Sequence, residues 1–519
     1  MASATSTGVS ARTLYLIATL VAFVVPLVVF SPALWNGFVW DDQVNFETNS
    51  GYRGLGWSQL RWMFTNTVEA HWIPLTWVTF GVDYVLWGMN PAGYHLTSLL
   101  FHAINTWLFF LIALRLLRLA GSSTDRSTLI IGASAATLFF SIHPLRAESV
   151  AWVTERRDVV SGFFFFVAVL AYLFAREPGR DKPGRWSMIS LISFQAAVLS
   201  KSIVVTLPFV LLLLDIYPLK RLAPSPLRWA RIENRRVLLE KLPFLPLPLL
   251  AGVVATSIIG GLNRFTPLSL SERLATVVYS FSFYPWKTVV PVHLSPLYEF
   301  PAAINPTDPR FIVAAAAFVV VTAFVVALAR RWPAGLIAWL AYLVMIGPVS
   351  GVRHTGVQLV ADRYSYLSCL PWALLFGAAV CVVVRARKMD RLTHARWRLI
   401  SAGFVTWLIV LAGFAAQQTT IWRDSEVLWR YATESDPQCF VCEHNLGTTL
   451  LTNGRTTEAI AHLERATELR PPATISHAAL VVGYLAVDAP HKAYEHLEAV
   501  KRSDRELARD LRPFFVTTW

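Results

Sequence analysis

Two adjacent carboxylates, Asp41 and Asp42, close the segment Phe38-Val39-Trp40-Asp41-Asp42 shortly after a long apolar run. A carboxylate held beside a reacting centre can take the proton from a hydroxyl nucleophile. Adjacent residues point in different directions, so one of the two would do this; the plainer alternative is an exposed acidic turn that caps a helix. Cations recur in later polar segments, at Arg156 and Arg157, Lys201, Arg353 with His354, and Arg363. Guanidinium groups pair bidentately with phosphate oxygens and lysine supplies a point charge, so these residues are candidates for holding a phosphate. Arg156 and Arg157 would equally suit the headgroup level of a membrane, and Arg363 could instead pair with Asp362 beside it. Lys201, flanked by apolar runs, needs a counter-ion or a substrate. Glu148, Glu155 and Asp158 could partner these cations or a divalent ion, but three scattered carboxylates are not a metal signature, and no metal is assigned. His71, next to Trp72, could position a substrate, although a lone histidine in an aromatic loop is more often structural.

The elements that must position these residues are set by a composition of 55% hydrophobic and 15% charged residues over 519 positions, too apolar for a soluble protein of this size. The chain reads as an all-α polytopic membrane protein. Apolar runs long enough to cross or nearly cross a bilayer fall at about 13–30, 96–117, 128–143, 159–175, 187–200, 203–218, 243–260, 311–329, 333–347, 364–384 and 399–416, which makes about 11 transmembrane helices. The first run is read as an uncleaved span, because Ser31 to Gly37 offers no small-residue cleavage site. With the N-terminus inside, the basic clusters at Arg115/Arg118/Arg126, Arg176 to Arg185, Lys220 to Lys241, Arg330/Arg331 and Arg385 to Arg398 are all cytoplasmic. The formal charge of +13 therefore reads as a topology signal, not as a nucleic-acid face. This count keeps 272–292, broken by Pro285 and Pro291, as an amphipathic helix on the outer surface.

Two regions follow: a membrane domain over 1–416, including a first outer loop at 31–94, and an outward-facing domain over 417–519. Several spans between 128 and 218 are short, so their outer ends should sit below the membrane surface, with His143, Arg146, Glu148, Asp158 and Lys201 lining a wet cavity. Beyond Trp422 the sequence turns charged and periodic. Leu446, Gly447, Leu450, Ala459, Leu463, Ala466 and Pro471 fall at the spacing of one TPR, and Leu480, Tyr484, Ala493, Leu497 and Val500 recur 34 residues later. Cys369 and Cys381 read as inert core residues, and Cys439-x-x-Cys442 as an optional disulfide of an oxidising compartment.

Several segments in order carry a resemblance. They are Asp41-Asp42, then His143-Pro144-Leu145-Arg146-Ala147-Glu148 through Glu155-Arg156-Arg157-Asp158, Leu199-Ser200-Lys201, Leu294-Ser295-Pro296-Leu297-Tyr298, Ala361-Asp362-Arg363-Tyr364-Ser365-Tyr366-Leu367 and Trp422-Arg423-Asp424-Ser425. Together they resemble the GT-C superfamily of polyprenyl-phosphate-sugar-dependent glycosyltransferases, and within it the transmembrane-and-TPR-repeat O-mannosyltransferase-like proteins. The resemblance covers essentially the whole chain. It implies a GT-C fold and inverting transfer of a sugar, mannose in the eukaryotic members, from polyprenyl phosphate to a hydroxyl of a protein or glycan. It also implies Asp42 as general base with Asp41 as neighbour or alternate. Arg156, Arg157, Lys201, Arg353, His354 and Arg363 then become donor-phosphate candidates, with His71, Glu148 and Asp158 completing the substrate site. No cofactor is expected beyond the lipid-linked sugar co-substrate. The TPR array is shorter than those of the eukaryotic relatives, which leaves the acceptor open, and short loops favour a bacterial inner membrane over the endoplasmic reticulum. Two rivals stand beside this reading. A lipid-linked-sugar transporter or flippase should show internal repeats among its spans, and none is evident; a non-catalytic TPR scaffold should tolerate Asp42→Asn.

Overall fold

Helix boundaries follow local chemistry. Proline opens the helices Pro74–Trp87, Pro91–Leu119, Pro309–Ala327 and Pro333–Ile346, where its missing N–H costs nothing. Side-chain oxygens of Asp125, Asp308, Thr393 and Asp424 cap the helices that follow them. The computed structural model describes residues 10–511 except 70, 178, 180, 230, 251, 254–267 and 353–355. Among them the fold is helical, with one two-stranded antiparallel sheet in which Tyr298–Glu299 pairs with Gln358–Val360.

Among the described residues six helices are long and apolar enough to cross a membrane: Ala11–Val29, Pro91–Leu119, Val153–Ala175, Pro309–Ala327, Leu370–Lys388 and His394–Thr420. A seventh arises if Arg126–Ser141 and Pro144–Ala151, bent by 58° at their break, act as one span. The chain is an integral membrane protein on this architecture. Of the remaining predicted runs, 203–218 and 333–347 form shorter apolar helices, 187–200 lies within Pro183–Ser200, and 243–260 extends beyond the described residues. The segment expected to lie on the surface forms Leu270–Val289, with Leu270 and Trp286 exposed and Tyr284 buried.

Helices Pro91–Leu119 and Val153–Ala175 are mostly buried and form the centre, whereas Ala11–Val29, Pro309–Ala327 and His394–Thr420 turn most of their apolar surface outward, as a hydrocarbon solvent allows. Arg126–Ser141 and Leu370–Lys388 approach closely at Gly132 and Gly377, where a Cβ would run into the opposing helix. Cys369 and Cys381 are buried and free, as expected.

Beyond the membrane region six helices, Ser425–Ser435, Phe440–Thr452, Thr456–Leu469, Thr474–Ala486, Pro490–Ser503 and Arg505–Leu511, pack each on the next. The periodic residues Leu446, Leu450, Ala459, Leu463, Leu480, Ala493 and Val500 are their buried faces. Cys439 and Cys442 form a disulfide at the start of the second of these helices. An indole stack fastens this domain to the rest. Trp152 lies between Trp40, at 4.6 Å, and Trp422, at 5.3 Å, and Trp429 meets Trp40 edge-on at 4.9 Å. Backbone and side-chain bonds reinforce the join: Gly37 N–H donates to Arg423 O over 2.8 Å, and Phe440 N–H donates to a Glu299 carboxylate oxygen over 2.6 Å.

Trp152 is buried, so Trp152→Ala should cost about 3–5 kcal/mol. Thermal unfolding in detergent should show the loss, and limited proteolysis should cut faster around residues 417–424 as the C-terminal helices loosen.

Candidate functional site

The His143-Pro144 break stops one helix, and the chain then runs through Pro144–Arg146, Ala147–Ala151 and Val153–Glu155 before Arg156–Ala175 begins. This irregular stretch places Glu148, Glu155, Arg156, Arg157 and Asp158 within eleven residues at the bundle end that carries the 31–94 loop. Glu155 is the centre. Arg157 pairs with both of its oxygens, Lys201 Nζ donates to Oε2 at 2.7 Å, and Arg363 Nε lies 3.2 Å from Oε1. Lys201 also donates to Asp158 at 2.8 Å, and Arg363 pairs with Glu148, whose second oxygen accepts the Arg363 backbone N–H at 2.7 Å. Three cations thus meet three carboxylates, from three separate stretches of chain.

This arrangement corrects the expectation of a wet cavity lined by His143, Arg146, Glu148, Asp158 and Lys201. The charges neutralise one another, because charges at this depth are far cheaper paired than unpaired, and of the five residues Asp158 lines one of the narrow clefts beside the cluster. Arg146 is held by Ser365, donating to its carbonyl at 2.8 Å and its hydroxyl at 2.6 Å, and His143 contacts Thr288 O at 3.1 Å.

The two aspartates separate clearly. Asp42 is buried, and both its oxygens are engaged: one accepts Thr154 N–H at 2.8 Å and Thr154 Oγ1–H at 2.6 Å, the other accepts Val39 N–H at 3.1 Å. It stitches the first loop to the Val153–Glu155 turn. Asp41 is half-buried, and among the described residues its carboxylate accepts no hydrogen bond. Partial burial and then the nearby Glu69 carboxylate push Asp41 up to about 7, against the pull of Arg157. Burial raises Asp42 to about 7 as well, opposed by its bonds from Thr154 and Val39.

The other sequence candidates divide similarly. Arg156 is sealed in the core, 2.5 Å from Asp83, donating to Ser98 at 3.1 Å and to Tyr94 O at 2.6 Å; it holds the loop's own helices and faces no cleft. Arg157, Lys201, Arg363, Glu148 and Asp158 come together around Glu155. His71 is exposed at the rim of a narrow cleft lined also by Asn45, Glu69, Thr154 and Arg157. Arg353 and His354 lie outside the described residues. Asn45 and Glu69 were missed by sequence reasoning: Asn45 Nδ2 donates to Thr154 Oγ1 at 3.0 Å and to Glu69 at 3.2 Å. No spacing links residues 45, 69 and 154, so nothing in the sequence could have joined them. Among the described residues no group of three or more His, Cys, Asp or Glu side chains is arranged to hold a metal ion.

A second cleft, lined by Asp158, Arg363, Tyr364 and Met345, borders the same cluster and shares no lining residue with the first. It shares Phe165 and Met345 with an apolar groove of about 180 Å³, walled by Phe109, Leu116, Val210, Leu374 and their neighbours. The site is therefore a charge cluster bordered by two clefts, one continuous in its lining with an apolar groove and one walled by the first loop.

No family model matches the chain, and no solved structure does. Among curated proteins, "Protein O-mannosyl-transferase TMTC3" of Homo sapiens is 34% identical over 125 residues, 24% of this chain and 12% of the relative. "Protein O-mannosyl-transferase Tmtc3" of Drosophila melanogaster is 24% identical over 457 residues, 76% of this chain and 48% of the relative. "Protein O-mannosyl-transferase TMTC4" of Mus musculus is 29% identical over 201 residues, 36% of this chain and 27% of the relative. The matched stretches thus span less than half of each of these relatives.

The contacts predict opposite responses to two substitutions. Glu155→Gln strips three buried cations of their shared partner and should destabilise the fold by about 3 kcal/mol or more. Asp41→Asn removes no side-chain hydrogen bond among the described residues and relieves a carboxylate whose charge the fold disfavours, so its thermal unfolding in detergent at neutral pH should fall at or above that of wild type.

Proposed function

We propose that this chain, which resembles the TMTC protein O-mannosyl-transferases over most of its length, is a GT-C-type glycosyltransferase that moves a sugar from a polyprenyl phosphate to a hydroxyl of a polypeptide. The observation that carries this reading is Asp41, a carboxylate that accepts no hydrogen bond among the described residues, beside a cationic cluster whose second cleft shares Phe165 and Met345 with the apolar groove. The polyprenyl chain lies in the groove and its phosphate enters the cleft at Arg363, within reach of Lys201 and Arg157. The acceptor comes from the loop side, past Glu69 and His71.

In the reaction the acceptor oxygen attacks the anomeric carbon as the carbon–oxygen bond to phosphate breaks, and its proton passes to Asp41. The polyprenyl phosphate leaves with the bonding electron pair, so attack from the opposite face inverts the sugar. Phosphate is a good leaving group, so the cations need only offset the charge that it gathers. A base held near neutral pH is matched to deprotonating a hydroxyl as it attacks. Asp42, with both oxygens taken, serves in this reading as the support that aims the loop, not as the base.

The reading keeps eleven crossings, with the first loop and the C-terminal helices on one non-cytoplasmic face, and takes those helices as a short TPR array beside the acceptor's path. The Cys439–Cys442 disulfide suits an oxidising compartment on that face. The relatives named above are animal proteins and give the bacterial inner membrane no support, so the endoplasmic-reticulum alternative is preferred.

Purified protein in lipid, given a panel of radiolabelled polyprenyl-phosphate sugars and a membrane extract as acceptor, should transfer label. Asp41→Asn should lower the rate by about 10²–10⁴-fold without loss of folding. The wild-type rate should rise as pH climbs through about 7, where Asp41 gives up its proton. Equal transfer by Asp41→Asn and wild type would remove Asp41 from the reaction.

A further inference from the structure

The far end of the bundle carries a second charged construction that sugar transfer does not use. Tyr172 lies fourteen residues after Asp158 on the same helix, about 20 Å along its axis. There Asp215 gathers Lys241 at 2.6 Å, Arg221 at 2.8 Å and the Tyr172 hydroxyl at 2.6 Å. Glu240 joins Arg221 at 2.8 Å and Arg176 at 2.9 Å. These contacts clamp both ends of the segment 218–241 against the bundle. Its middle is folded as well: Asn234 accepts the Ala223 N–H at 3.0 Å and donates to Arg228 O at 2.8 Å, and Trp229 donates to Ala223 O at 2.8 Å.

What this clamped segment turns outward is unusual for an aqueous loop. Leu227 is 93% exposed and Ile232 89% exposed, with Leu239 and Leu242 about half exposed. Interleaved with them stand Arg228, Arg231, Arg235 and Arg236, all exposed, and among the described residues none of the four makes an ion pair. Between 218 and 241 the sequence has seven Lys or Arg and two Glu. An ordered element that joins membrane segments and offers bare aliphatic side chains among unneutralised guanidinium groups matches the surface of an anionic leaflet, where acyl chains and phosphates lie within a few ångströms of each other.

We propose that residues 218–241 form an interfacial site for anionic phospholipid headgroups, with Leu227 and Ile232 inserted at the acyl boundary and Arg228, Arg231, Arg235 and Arg236 on lipid phosphates. This goes beyond the transfer reading and needs only that the protein be embedded in a bilayer.

Two measurements on the full chain in vesicles test it. Nitroxide labels at Leu227→Cys and Ile232→Cys, in phosphatidylcholine vesicles containing phosphatidylglycerol, should be accessible to oxygen and shielded from a water-soluble nickel chelate. Spin-labelled phosphatidylglycerol should be immobilised by wild type in preference to phosphatidylcholine, and R228Q/R231Q/R235Q/R236Q should lower that preference by about fivefold or more. Nickel-accessible labels, or an unchanged lipid preference in the quadruple variant, would overturn the proposal. The labels report on the wild-type arginines, so a variant that fails to fold still leaves the proposal open to refutation. Sugar transfer, read separately, bears on neither outcome.

Discussion

A buried carboxylate that must neutralise cations from separate parts of the chain sets the geometry of everything around it. Glu155 receives Arg157 from the following helix, Lys201 from the end of Pro183–Ser200 and Arg363 from the turn before the Leu370–Lys388 helix. In a low-dielectric interior each unmatched charge would cost several kcal/mol, so these elements cannot slide past one another without breaking a pair. The helices supply the apolar bulk of the fold, while the cluster fixes their register at the loop end.

That rigidity gives the first loop a fixed platform. Asp42 reaches across to Thr154, one residue before Glu155, and Trp40 stacks on Trp152 three residues before it. With the backbone pinned on both counts, Asp41 is left projecting toward the Arg157 side of the cluster, its charge opposed by Glu69. The same indole stack continues to Trp422, so the C-terminal helices are anchored within one ring of the charged centre. The helices that follow the membrane region are therefore part of the site's architecture.

The two ends of the bundle use one device for different purposes. Around Glu155 the ion pairs border clefts; around Asp215 they border none of the described cavities and clamp a loop whose exposed side chains face away. Buried networks of this kind specify position more than they add stability, since an apolar substitute would often be as stable but would not fix register.

Composition and hydrophobic runs by themselves determined that the chain is helical and membrane-embedded, and the 34-residue recurrence after Trp422 marked which side chains the terminal helices bury. These properties are local: they depend on residues a few positions apart along one helix. The ordered polar segments also named the residues that meet around Glu155. Only the tertiary structure separated Asp41 from Asp42 and Arg156 from Arg157, because neighbours in sequence point to opposite sides and their partners, Thr154, Glu69, Asp83 and Glu155, come from elsewhere in the chain. Only it brought Asn45, Glu69 and Thr154 to one rim, and only it showed the charges paired with one another beside narrow clefts where the sequence suggested one open cavity. Pairing of buried charges is a long-range requirement, and a linear sequence names the charges without naming the pairs.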